Sequence, residues 1–504
     1  MPVQDTLLDS GLANLPNEES SGASLAPPQK TLKHVIDVVL LTGLFFVPAY
    51  MTLHSSALGD FDIWWHLRAG EWISAHHAVP HTELFSRPMA GTPWLAYSWL
   101  FELLTFKLFT RFGLQGLLIY TSSLILLITV ALFSLIRRNH RQVPAAAFLT
   151  FACMFSMGHL YTPRPWLFTI LFFTLELDIL LEVRRTGHKA KLLWLPVIFA
   201  FWSNIHIQFV DGLFVFGLAV AESIASRWWP QARTKAAAGP LLAALVASLL
   251  ATLANPYGWR IYAVAHELAT QTGALDRIGE LQAIPFRDLI NYLALVLALG
   301  SAAALGWSRR IVSFEGALLV FAAILSFRSQ RDAWVIAIVG AAIVSRLLPE
   351  TREPRSTSPK YLTLVAGTVA AVALAGAFRC PELTNSKLHG QLAQELPVQA
   401  VDFVREHRLQ GPLFNDFNWG GYFVWNLRMP VSIDGRQNVY GDERIDRNIA
   451  TWSGSPAWQQ NSELAAARLV IGPATSPLTQ ILRRSPRFQL VYEDQVAAVF
   501  IARN

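Results

Sequence analysis

Long apolar runs alternate with short polar stretches from residue 34 to residue 378. The runs lie at 34–54, 114–136, 143–160, 165–183, 191–206, 210–226, 237–255, 289–307, 311–327, 332–348 and 360–378. A helix needs roughly 20 apolar residues to cross a hydrocarbon core. The pattern therefore predicts an α-helical polytopic membrane domain over 34–378 with about 11 spans. Basic clusters separate the runs: Arg137-Arg138-Asn139-His140-Arg141, Arg184-Arg185 with Lys189 and Lys191, Arg227 with Arg233 and Lys235, Arg309-Arg310, and Arg352 to Lys360. With the N-terminus inside and 94–112 lying on the surface, every cluster falls on the cytoplasmic side. The stretch 94–112 carries Glu102, Lys107 and Arg111 at helical spacing and reads as an amphipathic interfacial helix. The loop 55–113, the turn near 161–166, the stretch 256–288 and everything after 378 then face outward. In a Gram-negative cell the membrane would be the inner (plasma) membrane and that face the periplasm.

The two ends of the chain differ from this pattern. Residues 1–33 are polar and rich in Ser, Pro and Glu, which predicts a disordered cytoplasmic tail. So long a leader makes the run at 34–54 an uncleaved anchor. Beyond 378 a helical pattern at 397–408 is followed by strand signals at 412–415, 430–433 and 469–471. A short apolar helix follows the turn Asn418-Trp419-Gly420-Gly421, and 488–493 with 496–502 predict a terminal hairpin. This alternation predicts a small external α/β domain over 379–504.

Composition narrows the class further. The chain has 504 residues, 53% hydrophobic and 15% charged, where soluble proteins carry roughly 25% charged residues. The net charge of +6 sits in the inter-span clusters, which speaks for topology and against nucleic-acid binding. The two cysteines, Cys153 and Cys380, imply no disulfide framework and no thiolate metal site. No glycine-rich phosphate loop is present.

The richest chemistry follows the first run: Gly59-Asp60-Phe61-Asp62-Ile63-Trp64-Trp65-His66-Leu67-Arg68. Carboxylates beside hydrocarbon are costly without a partner or a task. A helix opening at Asp62 puts Asp62 and His66 one turn apart on one face. Asp62 can then serve as a general base or metal ligand assisted by Asp60 or His66, or Asp60 can simply cap a surface helix. The run Asp62 to Arg68 resembles the first external loop motif of oligosaccharyltransferase catalytic subunits. Thr92-Pro93-Trp94-Leu95 through Phe109 is similar to the juxtamembrane helix of protein O-mannosyltransferases and lipid A aminoarabinose transferases. These belong to the GT-C class of membrane glycosyltransferases, and the resemblance covers about the first 140 residues. It implies glycosyl transfer from a polyprenyl-phosphate-linked sugar on the outer face, with Asp62 in the place of the essential loop Asp. The chain departs from the family at Ile63, where Pro is common, and lacks a second-loop acidic pair matching the family's other metal ligands. A divalent cation, if used, would fall to Asp60 and Asp62.

Further polar residues fall at the same outer ends. Arg68, Arg164 between two prolines, Arg328 and Arg331 can clamp the phosphate of a lipid-linked donor, or snorkel to headgroups. Asn204, His206 and Asp211 cluster in one hairpin, where they line a substrate cavity or cap helix ends. Asn255-Pro256-Tyr257-Gly258-Trp259 reads as a turn, with Tyr257 and Trp259 fitting an aromatic belt or a sugar-stacking platform. The stretches 415–422 and Ile433-Asp434-Gly435-Arg436 read as turns or as polar loops at strand ends that recognise an acceptor, and Asp434 and Arg436 can pair. Glu176 and Asp178 lie within one run, where a transporter would use them as proton carriers.

Together these features give a GT-C-like polytopic helical membrane protein with a C-terminal external α/β domain. The expected activity is sugar transfer from a polyprenyl-phosphate donor to an external glycan, lipid or protein acceptor. The alternative is a non-catalytic membrane scaffold that binds partners through its C-terminal domain.

Overall fold

The structure, a computed structural model, describes residues 27–54, 57–228, 234–270, 278–309, 313–346 and 359–503. Most of the expected tail and the basic stretches around Arg233, Arg310 and Arg352 lie outside the described residues. Every apolar run carries a helix. In chain order these are α1 (Pro27–His54), α4 (Leu114–Asn139), α5 (Val143–Ser156), α6 (Trp166–Thr186), α7 (Trp194–Trp202) and α8 (Phe209–Ala225). They continue with α9 (Ala238–Thr252), α11 (Leu289–Trp307), α12 (Phe314–Arg328), α13 (Ala333–Ser345) and α14 (Pro359–Ala377). Between α1 and α4 lie α2 (Ile63–His76) and α3 (Trp99–Phe112), and α10 (Arg260–Thr270) follows α9.

Four described helices are long and apolar enough to cross a membrane: Leu32–His54, Leu114–Asn139, Leu289–Trp307 and Lys360–Ala377. Most of the other runs are shorter as helices than their hydropathy suggests, but α6 keeps 21 residues and α8 keeps 17. At 1.5 Å per residue, the 9 residues of α7 reach only about 14 Å. Local signals set the boundaries. Proline at the start of α5 uses a position whose N–H has no helical partner. α6 ends on Arg184 and Arg185 and closes at Gly187 with φ 79°, a conformation that favours glycine.

α1 packs against α4 and α14, α4 against α6, and α11 and α12 against α13. α13 is buried over almost its whole length, so it forms the centre of the bundle. One end of the bundle is tied by charge. Arg184 reaches Glu222 at 2.6 Å and Glu315 at 3.1 Å, Arg346 also bonds Glu315, and Arg138 meets Asp178 at 2.8 Å and Glu182. The opposite ends of these helices, with α2 and α3, surround the candidate site.

α2 and α3 approach backbone to backbone. A Cβ at Gly70 would lie 2.1 Å from the Glu102 carbonyl oxygen, so glycine is required for the contact. His66 and Gly70 are one turn apart on the same face, so this contact brings His66 to Glu102. The expected polar face of α3 is therefore wrong at Glu102, which is 1% exposed.

The C-terminal region holds a four-stranded sheet. Its strands are β1 (Leu413–Asn415), β2 (Leu469–Pro473), β3 (Phe488–Glu493) and β4 (Ala497–Ala502), in the order β1-β2-β4-β3. β1 is parallel to β2, and the other pairs are antiparallel. Phe414 stacks on Trp452 in a core shared with Leu478, Leu482 and Phe500. The expected strand at 430–433 is not part of the sheet. Asn415 binds Ser432 and Ile433 through its side chain, and Val431 pairs with Phe85 and Arg87 of the first loop at 2.9 Å each. Its apolar residues are buried against another partner than the one their alternation suggested.

Candidate functional site

Eight chain segments meet at one end of the bundle around a cavity of about 280 Å³. The start of α2 supplies Asp62, Trp65 and His66, and the residues before α3 supply Tyr97 and Ser98. The turn before α6 supplies Arg164 and Trp166, and the α7–α8 hairpin supplies His206, Gln208 and Asp211. The α12–α13 turn supplies Arg328, Ser329, Arg331 and Asp332. Gly435 to Asn438 close the cavity from the C-terminal region, where α15 (Gln437–Trp452, kinked at Gly441) begins. Val210, Leu268, Leu281 and Leu325 make part of the wall apolar.

Arg164 is the centre of the polar wall. Its guanidinium bonds both Asp60 and Asp62. The other Asp60 oxygen accepts the Asp62 N–H at 2.9 Å, so the two carboxylates are held in one frame. Burial raises the Asp60 carboxyl above its ordinary range, against the pull of Arg164. The free Asp62 oxygen points at Gly435, where a Cβ would lie 1.8 Å away. Arg164 and Arg331 both stand over the Trp166 ring, at 5.1 and 5.2 Å. Glu280 pairs with Arg331. Arg328 has no hydrogen bond or ion pair within the described chain, which leaves a guanidinium free to bind an anion.

His66 forms the second reactive group. Its Nδ1 meets Glu102 Oε1 at 3.2 Å, with both side chains almost fully buried. Burial, together with Arg164, His206 and Arg436, holds the imidazole well below its usual value. Burial pushes the Glu102 carboxyl up to about 8. At neutral pH the pair therefore carries a protonated Glu102 that donates to Nδ1, and Nε2 keeps its hydrogen as a donor. His206 is tied by a 2.8 Å bond between Nδ1 and the Thr169 hydroxyl, which in turn accepts from Trp202 at 2.8 Å.

A buried ion cluster fixes the C-terminal wall. Arg436 makes a bidentate pair with Glu83 at 2.6 and 2.9 Å and another with Asp434 at 2.8 and 2.6 Å. The Tyr440 hydroxyl donates to Asp434 at 3.0 Å, and the Phe85 and Ser86 N–H groups donate to Glu83 at 2.6 Å. Trp94 and Phe85 cover the guanidinium at 4.7 and 5.2 Å. The expected Asp434–Arg436 pair is thus half of a joint between the first loop and the C-terminal region.

Three expected site residues lie elsewhere. Asp60 stands behind Arg164, outside the cavity wall. Arg68 pairs with Glu71, which also holds Arg428, at the rim of α2. Asn204 accepts from Trp99 at 2.7 Å and donates to Ala200 and Ala254 at 2.7 and 2.9 Å, which ties its hairpin to α3 and to the end of α9. A divalent cation on Asp60 and Asp62 does not fit, because the Arg164 guanidinium is bonded between them. Among the described residues no group of three His, Cys, Asp or Glu side chains could hold a metal. Asp178 is paired with Arg138, so it does not join Glu176 as a matched carrier. Tyr257, read as part of a turn, fastens the first loop by accepting from Ala96 and donating to Pro80, both at 2.9 Å.

No protein-family model matches the chain, and no curated protein does. Among solved structures it is similar to ArnT from Cupriavidus metallidurans bound to undecaprenyl phosphate. The identity is 14%, the match covers 94% of this chain and 98% of that one, and the TM-score is 0.45. A likeness at this level assigns neither activity nor substrate.

Glu102, Trp65, Ser98 and residues 437–438 are parts of the site that sequence reasoning missed, whereas Gly435 and Arg436 fall in the stretch 433–436 that the sequence leaves as a turn or a ligand-binding loop. An acid set among the aromatic and aliphatic residues of α3 was the available signal for Glu102. No local pattern marked the others.

Proposed function

We propose that the chain is a multi-pass membrane glycosyltransferase that moves a sugar from a polyprenyl-phosphate-linked donor to an acceptor at the outer face. The observation that carries this reading is the cavity's division into an apolar wall and a guanidinium-rich wall beside Asp62 and His66. An amphiphilic anion suits such a division: an apolar chain against Leu268, Leu281 and Leu325, and a phosphate against Arg328 and Arg331. Transfer requires the acceptor oxygen to lose a proton as positive charge develops at the sugar's C1. The free Asp62 oxygen takes that proton, while Arg164 holds the other oxygen and fixes the carboxylate's direction. The His66 Nε2–H donates to the ligand, and the arginines hold the phosphate as it leaves.

Purified protein in lipid tests the reading directly. Wild type is expected to turn over at least one sugar from a panel of polyprenyl-phosphate sugars, given glycan, lipid and protein acceptors. Asp62→Asn is expected to lower that rate by about 10²–10⁴-fold with lipid binding kept. No turnover by wild type on any combination would count against the transferase and favour a scaffold.

The His66–Glu102 pair makes a separate prediction about pH. As pH rises through about 8 the pair loses the Glu102 proton. The imidazole hydrogen then moves to Nδ1 to meet the carboxylate, and Nε2 changes from donor to acceptor. Affinity for a polyprenyl phosphate is expected to fall through that range in wild type and to stay level in Glu102→Gln, whose amide does not titrate. A titration of lipid affinity from neutral to alkaline pH decides it, and an identical fall in both proteins would remove the pair from ligand binding.

A further inference from the structure

The C-terminal region is built into the cavity wall, and the polar groups beside it lack partners. Trp65 Nε1 and Ser98 Oγ have no hydrogen bond, although Trp65 is 8% exposed, Ser98 is 2% exposed and both line the cavity. A buried donor or acceptor left unpaired costs about 1–3 kcal/mol, so such groups call for a partner. Ser98 precedes α3 yet its side chain caps nothing, which leaves the hydroxyl for another use. Across from them, Gln437 and Asn438 line the same cavity, half-buried, and their side-chain amides bond nothing among the described residues. These two residues open the first turn of α15, where the Gln437 N–H is bonded to the Gly435 carbonyl at 3.1 Å and the Val439 N–H to the Arg436 carbonyl at 3.0 Å, so the side-chain amides are the groups left for a ligand. Donors and acceptors of both kinds match a ligand group that carries several hydroxyls.

We propose that Trp65 and Ser98 on one side, and Gln437 and Asn438 on the other, form a subsite for the polyhydroxylated head of the donor, a pyranose. The C-terminal region then reads the sugar, while Arg328 and Arg331 hold the phosphate. The Arg436 joint to Glu83 and Asp434 keeps the two sides of the subsite at a fixed distance. This inference rests on the lipid-linked donor proposed above and adds which part of the chain distinguishes a glycosylated lipid from a bare one.

The test compares two ligands on the full chain in nanodiscs: polyprenyl phosphate, and a panel of polyprenyl-phosphate hexoses. Wild type is expected to bind at least one hexose-bearing lipid more tightly than the bare lipid phosphate. The double variant Gln437→Ala/Asn438→Ala is expected to weaken the hexose-bearing lipid about tenfold, the size of one or two net hydrogen bonds, and to leave the bare lipid unchanged. Trp65→Phe, which removes only the indole N–H and keeps an aromatic face, is expected to shift the same preference in the same direction. Retained binding of the bare lipid shows that each variant is folded. If wild type binds both lipids and the variants leave the preference intact, or if it has no preference, the subsite is overturned and the donor reading stands. If wild type binds neither lipid, both fall.

Discussion

Replacing Arg164 with methionine is expected to abolish turnover and to lower the melting temperature at once. Among the described residues the guanidinium is the only side chain that bonds both Asp60 and Asp62, and Asp60 is almost fully buried. Removing one partner of a buried pair costs about 3–5 kcal/mol, because the remaining charge is left without compensation. The catalytic effect is separate. Without the guanidinium no other side chain among the described residues bonds the Asp62 carboxylate, and a loss of about 10²-fold or more in rate is expected from a misplaced group. Arg164→Lys separates charge from geometry. Lysine keeps the positive charge but not the fork that bonds two carboxylates, so it should recover part of the stability and little of the rate. Thermal melting and turnover on the same preparations check both parts. If the lysine variant works as well as wild type, the two-carboxylate frame is not what orients Asp62.

The second large effect is expected at Arg436. Its side chain is 1% exposed and lies between Glu83 and Asp434, which are fully buried. Arg436→Met would leave two buried carboxylates facing each other, at a cost again of about 3–5 kcal/mol. The joint between the first loop and the sheet region should then loosen, and limited proteolysis should cut between α14 and β1 faster than in wild type. The triple variant Glu83→Gln/Asp434→Asn/Arg436→Met removes the charges together and should regain most of the lost stability. A triple variant as unstable as the single one would show that the guanidinium acts through its packing under Trp94 and Phe85 instead.

Much of the site could be read from the sequence because topology does part of the work. Apolar runs and basic clusters put Asp62, Arg164, His206, Arg328 and Arg331 at one set of helix ends, and the structure gathers those residues around one cavity. What escaped depends on side chains meeting across long stretches of chain. Glu102 reaches His66 because Gly70 lets two helices touch, and helical periodicity says nothing of that contact. The Glu83–Arg436 pair joins residues 353 positions apart, which no spacing rule predicts. Asn204 carries the same side-chain chemistry as a ligand-binding residue, but its amide is used up in tying its hairpin to α3 and to the end of α9. The segment 430–433 has the alternation of a strand and is extended, but pattern alone could not say that its partner is the first loop.

The ion pairs at the other end of the bundle separate two moments in the life of the chain. Arg184 is held by Glu222 and Glu315, and Arg346 by Glu315. Those acids follow Arg184 by 38 and 131 residues, so synthesis delivers the guanidinium long before either carboxylate. Orientation of a helix is decided on the growing chain, when Arg184 and Arg185 are still bare. Once the later helices arrive, Arg184 no longer presents a free charge. In the topology that the basic clusters predict, the positive charge that directs insertion is thus transient at this position, and the same side chain is reused to lock helices together.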